Sequence, residues 1–363
     1  MKLITKYILK KCMINTAFLL ISFSLVFAIF NMVMQLGDVG HGDFGISSMF
    51  IYIVALIPSY TYMMMPLSIL IGVMTGMLSL VSFSEYAIIR SSGTSLKQIA
   101  VILGSLGIIY GGITFVIGDF VAPLCNEFAQ IYKLTKTKQI LSGELSSGIW
   151  LKDTESGFVN IQRITPENQI LEIKAYYYDN KNGGFKLKEY IQAATGEYDN
   201  HNKAWVLHNV RKMLYSPDGK LQITNQGNSL WDTSFQPSFF KVLVAQPEDM
   251  SVFTLYHYID SLRKNNQSHQ RYSIAFWSKL IYPISCITMA LIAIGFIPNN
   301  RRSVNIGSKL FAGILIGVGF FFLVKFISYL AFLLNWNPLL SSIVPLFILF
   351  SISFYLVFLK RES

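Results

Sequence analysis

Phe185-Lys186-Leu187-Lys188-Glu189-Tyr190-Ile191-Gln192-Ala193 alternates in character near the middle of a 363-residue chain. In an extended conformation Phe185, Leu187, Ile191 and Ala193 fall on one face, and Lys186, Lys188, Tyr190 and Gln192 on the other. A period of two marks a strand with one buried face. Similar runs occur at 158–164, 170–178, 205–215 and 239–244. Turn residues stand at Asn182-Gly183-Gly184, Asp199-Asn200, Pro217-Asp218-Gly219 and Gln226-Gly227-Asn228, where the chain needs conformations that these residue types reach easily. Short antiparallel strands at this spacing predict a sandwich or an open jelly roll over residues 123–272. Helices are expected at its margins, one over 127–140 and one N-capped by Ser251 and running to about Lys264.

Outward from this segment the chain turns apolar. It is 52% hydrophobic and 14% charged, with a positive mean hydropathy, a balance that excludes an ordinary soluble protein. A helix needs about 20 apolar residues to cross about 30 Å of hydrocarbon. Six stretches qualify: 12–36, 49–82, 98–121, 273–298, 306–334 and 338–359. The second is over-long and contains Pro58 and Pro66, which predicts a kinked helix whose first turns lie near the interface. The N-terminus mimics the start of a signal peptide, but its apolar run is too long and no small-residue cleavage site follows. It is read as an uncleaved first span. The expected organisation is thus three spans in 1–122, a β domain in 123–272, and three spans in 273–363.

Charge sets the orientation. The net charge of +10 belongs to the membrane part, because 123–273 is nearly balanced. One set of span ends carries Lys2, Lys6, Lys10 and Lys11, then Arg90 and Lys97, then Arg301, Arg302 and Lys309, then Lys360 and Arg361. The opposite loops, 37–48 and 335–337, carry no Lys or Arg. Lys and Arg are retained on the cytoplasmic side, so both termini are expected in the cytoplasm and the β domain outside it.

The chain has no phosphate-binding loop, no H-E-x-x-H, no G-x-S-x-G and no clustered Cys/His set. Its three cysteines imply no disulfide framework, and His41, His201, His208, His257 and His269 are too scattered for a metal site. A nucleotide-driven machine would therefore need its ATPase on another chain. The run Ser84-Glu85-Tyr86-Ala87-Ile88-Ile89-Arg90-Ser91-Ser92-Gly93 lies between spans two and three. Gly93 suits a helix C′ position, and Ser95 with Gln98 forms a capping box that opens span three. The short helix this predicts is either a simple connecting turn or a coupling helix that a cytoplasmic motor pushes, with Glu85 and Arg90 as its polar contacts. Charges inside a membrane usually mark a cavity or pathway. Lys325, deep in span five, is the clearest case, with snorkelling to an interface as its alternative. Asp38, Asp43 and Asp119 fall near the outer surface, where water can solvate them, and Lys279 is expected at an interface.

Several segments, taken in order, carry a family resemblance: Val39-Gly40-His41-Gly42-Asp43-Phe44, Ser84 to Gly93, Gly148-Ile149-Trp150-Leu151-Lys152-Asp153, Trp277-Ser278-Lys279, Arg302-Ser303-Val304-Asn305-Ile306-Gly307 and Asn337-Pro338-Leu339. With the layout of three spans, a β domain and three spans, the chain resembles the LptF/LptG family over nearly its whole length. These are permease subunits that extract lipopolysaccharide from the inner membrane of Gram-negative bacteria. The first, third and fifth segments look more like the LptG branch than the LptF branch.

The resemblance implies six transmembrane helices with an inserted periplasmic β-jellyroll-like domain, and a heterodimer with LptF. It also implies two copies of the ATPase LptB below, LptC at the side, and LptA receiving the lipid. Neither a resident cofactor nor nucleic acid is implied, since ATP is bound by the partner. Lipopolysaccharide would enter between spans one and five, with Lys325, Asp38, Phe321 and Phe322 in the substrate cavity. Glu85, with Arg90 and Gly93, would match the coupling segment that enters a groove of LptB. The family's LptG type carries basic residues at the outer end of span one to meet lipid A phosphates, whereas this chain has Gly37-Asp38. Lys325 is positioned to supply that missing charge. Two other classes compete. A membrane enzyme acting on lipid-linked sugars would rest on Asp38, His41, Asp43 and Asp119. A sensor would explain the β insert but not six spans without a signalling module.

Overall fold

The structure is a computed structural model that describes residues 2–137, 141–142, 149–154, 157–165, 169–179, 186–199, 204–215, 221–231, 233, 246–264, 267–297 and 306–355. Helix α1 is Lys2–Gln35, α2 is Ile46–Ser82, α3 is Glu85–Ser91 and α4 is Leu96–Val116. A π-helical segment, Ile117–Val121, joins α4 directly to α5, Ala122–Thr137. After the β domain come α6, Val252–Lys264, α7, Gln270–Ile292, α8, Ile306–Leu333, and α9, Pro338–Phe354.

Five described helical runs are long and apolar enough to cross a membrane: Leu3–Asp38, Ile46–Ser82, Leu96–Thr137, Gln270–Phe296 and Ile306–Leu333. The sixth, α9, has 17 described residues, which is at the lower limit for a span. Its start is set by Asn337, whose side chain accepts from the Leu339 amide at 3.0 Å, and by Pro338 in the first turn, where a missing N–H does no harm. The expected second span is a single helix of 37 residues with Pro58 and Pro66 inside it. Near Pro66 the Tyr282 hydroxyl donates to the Met63 carbonyl at 2.8 Å and ties α7 to α2.

Helix α2 is the hub. Its side chains Met65, Ile69, Leu70, Val73, Met74 and Met77 form one cluster with Ile8 and Cys12 of α1, Leu103 and Leu106 of α4, and Cys286, Met289 and Ala290 of α7. Lipid is as apolar as these residues, so close van der Waals contact rather than hydrophobicity must hold spans together. Glycines four apart provide it. A Cβ at Gly72 would lie 2.5 Å from the Thr16 Cα, and one at Gly76 would lie 3.0 Å from the Cys12 sulfur. Between α4 and α7, a Cβ at Gly107 would lie 2.7 Å from the Ile287 Cα, and one at Gly111 would lie 2.9 Å from the Pro283 carbonyl oxygen.

Among the described residues the β domain is a seven-stranded antiparallel sheet in the order β1-β3-β4-β5-β6-β7, with β2 also on β3. The strands are β1 Leu141–Ser142, β2 Ile149–Thr154, β3 Gly157–Ile164, β4 Ile170–Asp179, β5 Lys186–Asp199, β6 Ala204–Tyr215 and β7 Leu221–Trp231. The alternation read in 185–193 holds, with Ile191 and Ala193 buried and Lys188 and Gln192 exposed. Trp205, Leu207, Ile173, Val159 and Ile161 complete that buried face.

The sheet curls until its far strand meets its beginning. Trp231 Nε1 on β7 donates to the Tyr177 hydroxyl on β4 at 2.9 Å, and Tyr177 donates to Asp153 Oδ2 on β2 at 2.8 Å. Thr233 donates to the other oxygen of Asp153 at 2.7 Å. Burial and the neighbouring Asp153 charge push the Tyr177 hydroxyl pKa up, so it stays protonated and able to donate.

Two expectations change. Gln226-Gly227-Asn228 is no turn but lies inside β7, where Gln226 pairs with Val210 and Asn228 with His208. Ladder hydrogen bonds outweigh local turn propensity there, and the exposed side of β7 asks for no apolar residue. The margin helix expected over 127–140 begins at Ala122 and continues span three, because nothing between Val116 and Ala122 breaks the helical backbone. The strand expected at 239–244 lies outside the described residues, as do the turns Asn182-Gly183-Gly184 and Pro217-Asp218-Gly219. The N-cap at Ser251 holds, its hydroxyl accepting from the Thr254 amide at 3.1 Å.

A Gly72→Ala substitution forces α1 away from α2 and is expected to destabilise the chain by about 1–3 kcal/mol. At Gly112, where an added Cβ meets nothing within 4 Å, alanine should be neutral or stabilising. Thermal unfolding in detergent, followed by circular dichroism, checks the contrast.

Candidate functional site

Two places concentrate polar groups against the apolar background. The first is the turn between spans two and three. Helix α2 ends where Ser84 takes a left-handed conformation, φ 64°, and α3 ends before Gly93, φ 89°. That second angle suits glycine because a Cβ would be strained there. The capping box is formed, Ser95 Oγ accepting from the Gln98 amide at 3.2 Å and Gln98 Oε1 from the Ser95 amide at 2.9 Å. Tyr86 and Ile89 face the helix core, while Phe83 and Ile88 stand 72% and 68% exposed.

Glu85 opens α3, and its Oε2 accepts from the Tyr7 hydroxyl at 2.8 Å and from Lys11 Nζ at 3.2 Å. Those bonds hold its carboxyl below the usual carboxylate range, the Tyr7 bond most. The Arg90 guanidinium donates to the Thr94 carbonyl at 3.0 Å and braces the loop to α4.

The second place is a cavity of about 710 Å³ between α2, the π-helical segment with α5, α7 and α8, bounded also by the connector that ends the β domain. Tyr60, Asn126, Asp249, Lys279, Phe321 and Lys325 line it. Asn126 ties its walls together, accepting from the Ser59 hydroxyl at 2.6 Å and donating to Asp249 Oδ1 at 2.9 Å. Burial raises the Asp249 pKa, with the Lys279 and Lys325 charges opposing the rise. The Tyr60 hydroxyl has no partner among the described residues.

Lys279, expected at an interface, lies within the protein. It is buried, and its ammonium donates to the Gly118 carbonyl at 3.0 Å and to the Met250 carbonyl. It thereby joins the π-helical segment to the connector. Asp119, expected in water, caps α6 instead, accepting from the Val252 amide at 2.5 Å.

Of the residues assigned to a substrate cavity from the sequence, Phe321 and Lys325 line this one. Phe322 faces away and is 68% exposed. Asp38 stands just beyond the C-terminal end of α1, paired with Lys133 of α5 at 2.7 Å. Lys133 also donates to the Gln35 side chain at 2.5 Å, so the acid that departs from the expected basic pattern is neutralised locally. The sequence reading missed Asn126 and Asp249. A lone amide and a lone acid carry no spacing signal, and only folding brings them together. Among the described residues, no three His, Cys, Asp or Glu side chains group to hold a metal ion.

The family model for "Lipopolysaccharide export system permease LptF/LptG" matches residues 6–358. The chain belongs to the LptF/LptG family. The lipopolysaccharide export system permease protein LptG of Haemophilus influenzae is 28% identical over 338 residues, covering 92% of each chain. The LptG protein of Escherichia coli K12 is 27% identical over 348 residues, covering 95% of this chain and 94% of that one. In this LptF/LptG-family chain the match runs through both helical halves and the β insert, so the sheet is an integral part of the family fold.

Because the Glu85 pKa is lowered by its donors on α1, the contact is complete above the ordinary carboxylate range and is lost as pH falls through the lowered value. In a Tyr7→Phe variant the Glu85 midpoint should move upward. A carbon-13 titration of the labelled carboxyl measures the shift.

Proposed function

We propose that this chain is an LptG-like, non-catalytic permease subunit of a lipopolysaccharide exporter in the bacterial inner membrane. Both termini lie in the cytoplasm and the β domain in the periplasm, as the Lys and Arg bias of the short loops requires. The observation that carries the reading is the family match over residues 6–358, which leaves no major element of the chain outside it.

The physical features fit this work. A lipid with acyl chains and phosphorylated sugars needs an apolar wall with a cation inside it. The cavity offers Phe321 with Lys325 one turn further along α8. In low dielectric a cation attracts phosphate far more strongly than in water. Apolar stripes stand uncovered on several spans, among them Ile14, Phe18, Ile21, Leu25 and Ile29 on α1, and Phe322, Phe326, Tyr329 and Leu333 on α8. A second permease subunit, LptF, would cover these and complete the lipid path between span one of one subunit and span five of the other. Energy comes from an LptB dimer docked beneath the turn, where exposed Phe83 and Ile88 flank Glu85. LptC and LptA would receive the lipid beyond the β domain.

A Lys325→Ala variant, losing a charge-assisted contact of about 1.5–3 kcal/mol, should release lipopolysaccharide roughly ten-fold more slowly at unchanged protein level. Release at the wild-type rate would remove Lys325 from the substrate site. A Glu85→Lys variant places a cation where the partner surface expects an acid. Co-purification with the ATPase, or ATP hydrolysis coupled to lipid release, should then be lost, and normal growth and export would count against the coupling assignment.

A further inference from the structure

The turn beneath spans two and three is built to move as a unit. Helix α3 has only seven residues, and left-handed residues stand just before it, at Ser84, and just beyond it, at Gly93. A push on α3 would turn it about these two points, and the Arg90 bond to the Thr94 carbonyl and the packing of Tyr86 and Ile89 with Val81 and Ile99 pass part of it to the adjoining spans. A separate connection is needed to carry the movement to the first span.

That connection runs sideways to α1. Tyr7 and Lys11 lie four apart on α1, on one face of the helix, and both donate to the same oxygen of Glu85. The Lys11 ammonium also sits 5.7 Å from the ring centroids of Tyr7 and Phe83. Beneath this polar grip, Ile8 and Cys12 share an apolar cluster with Tyr86 and Ile89. Above it, α1 rests on α2 through Gly72 and Gly76, while its stripe from Ile14 to Ile29 is open. Helix α1 is thus held firmly at its cytoplasmic end and along one side only.

We infer that Tyr7 and Lys11 are positioning residues that pass a displacement of α3 to α1, with the Glu85 carboxylate as the point of attachment. The inference rests on the reading of α3 as the coupling segment. Under it, Glu85 faces two ways: about a third of its side-chain surface is open to a docked partner, and the rest is gripped by α1. A push on the turn then shifts the first span, which borders the lipid path.

The test uses the assembled transporter in lipid nanodiscs, with ATP hydrolysis and lipopolysaccharide release measured in one sample. The double variant Tyr7→Phe with Lys11→Met should bind the ATPase and hydrolyse ATP as the wild type does. Lipid released per ATP should fall about five-fold, the low end of ordinary conformational couplings. Lys11→Arg, which keeps the charge-assisted bond, should retain the wild-type ratio. A wild-type ratio in the double variant overturns the inference. So does a parallel fall of hydrolysis and release, or loss of the ATPase, either of which would make the contact merely structural. Failure of the coupling reading itself shows elsewhere, as a Glu85→Lys chain with normal release per ATP, and the inference then falls with it.

Discussion

Close backbone contact around α2 is the constraint on which the rest of the helical part depends. In a bilayer, leaving lipid for a protein neighbour brings no hydrophobic gain, so a central span must earn its place by packing distance. Gly72 lets α2 meet the α1 backbone at Thr16 and Gly76 makes room for the Cys12 side chain, while Gly107 and Gly111 bring α4 against the backbone of α7. Methionines at 65, 74 and 77 fill the irregular spaces that remain, as flexible thioether chains do well.

That arrangement determines where the chain can act. Helices α1 and α8 both pack on α2 and keep apolar residues exposed along their other sides. The cavity forms where α2, α7 and α8 diverge under the β-domain connector. The turn after α2 is the short exposed helix of this face, and the grip of Tyr7 and Lys11 on Glu85 returns its position to α1. One hub therefore sets the positions of the turn, the cavity and the first span relative to one another.

Polar groups brace what glycine packing leaves open. Lys279 is a buried cation satisfied by carbonyls of the π-helical segment and the connector, with Asp119 and Asp249 close enough to stabilise its charge. Burying an ammonium is costly unless such partners surround it. Their convergence fixes the exit of the β domain on the membrane part. Inside the β domain, Asp153, Tyr177, Trp231 and Thr233 close the curl of the sheet in a similar way.

The order of the apolar runs and the presence of a β insert between them were legible in the sequence, because hydropathy and period-two alternation are local properties of the chain. So were the caps at Ser95 and Ser251, where donor and acceptor lie three residues apart. Gln226-Gly227-Asn228 was misread because a ladder with β6 supplies hydrogen bonds that no local rule contains. Only the tertiary structure decided that Lys279 is buried, that Asp38 is spent on Lys133, that Phe321 and Lys325 share a cavity with Asp249, and that Glu85 is gripped from α1. Each of these joins residues far apart in the chain, and an electrostatic or hydrogen-bonded pairing at that separation exists only once helix packing has brought its members within a few ångströms.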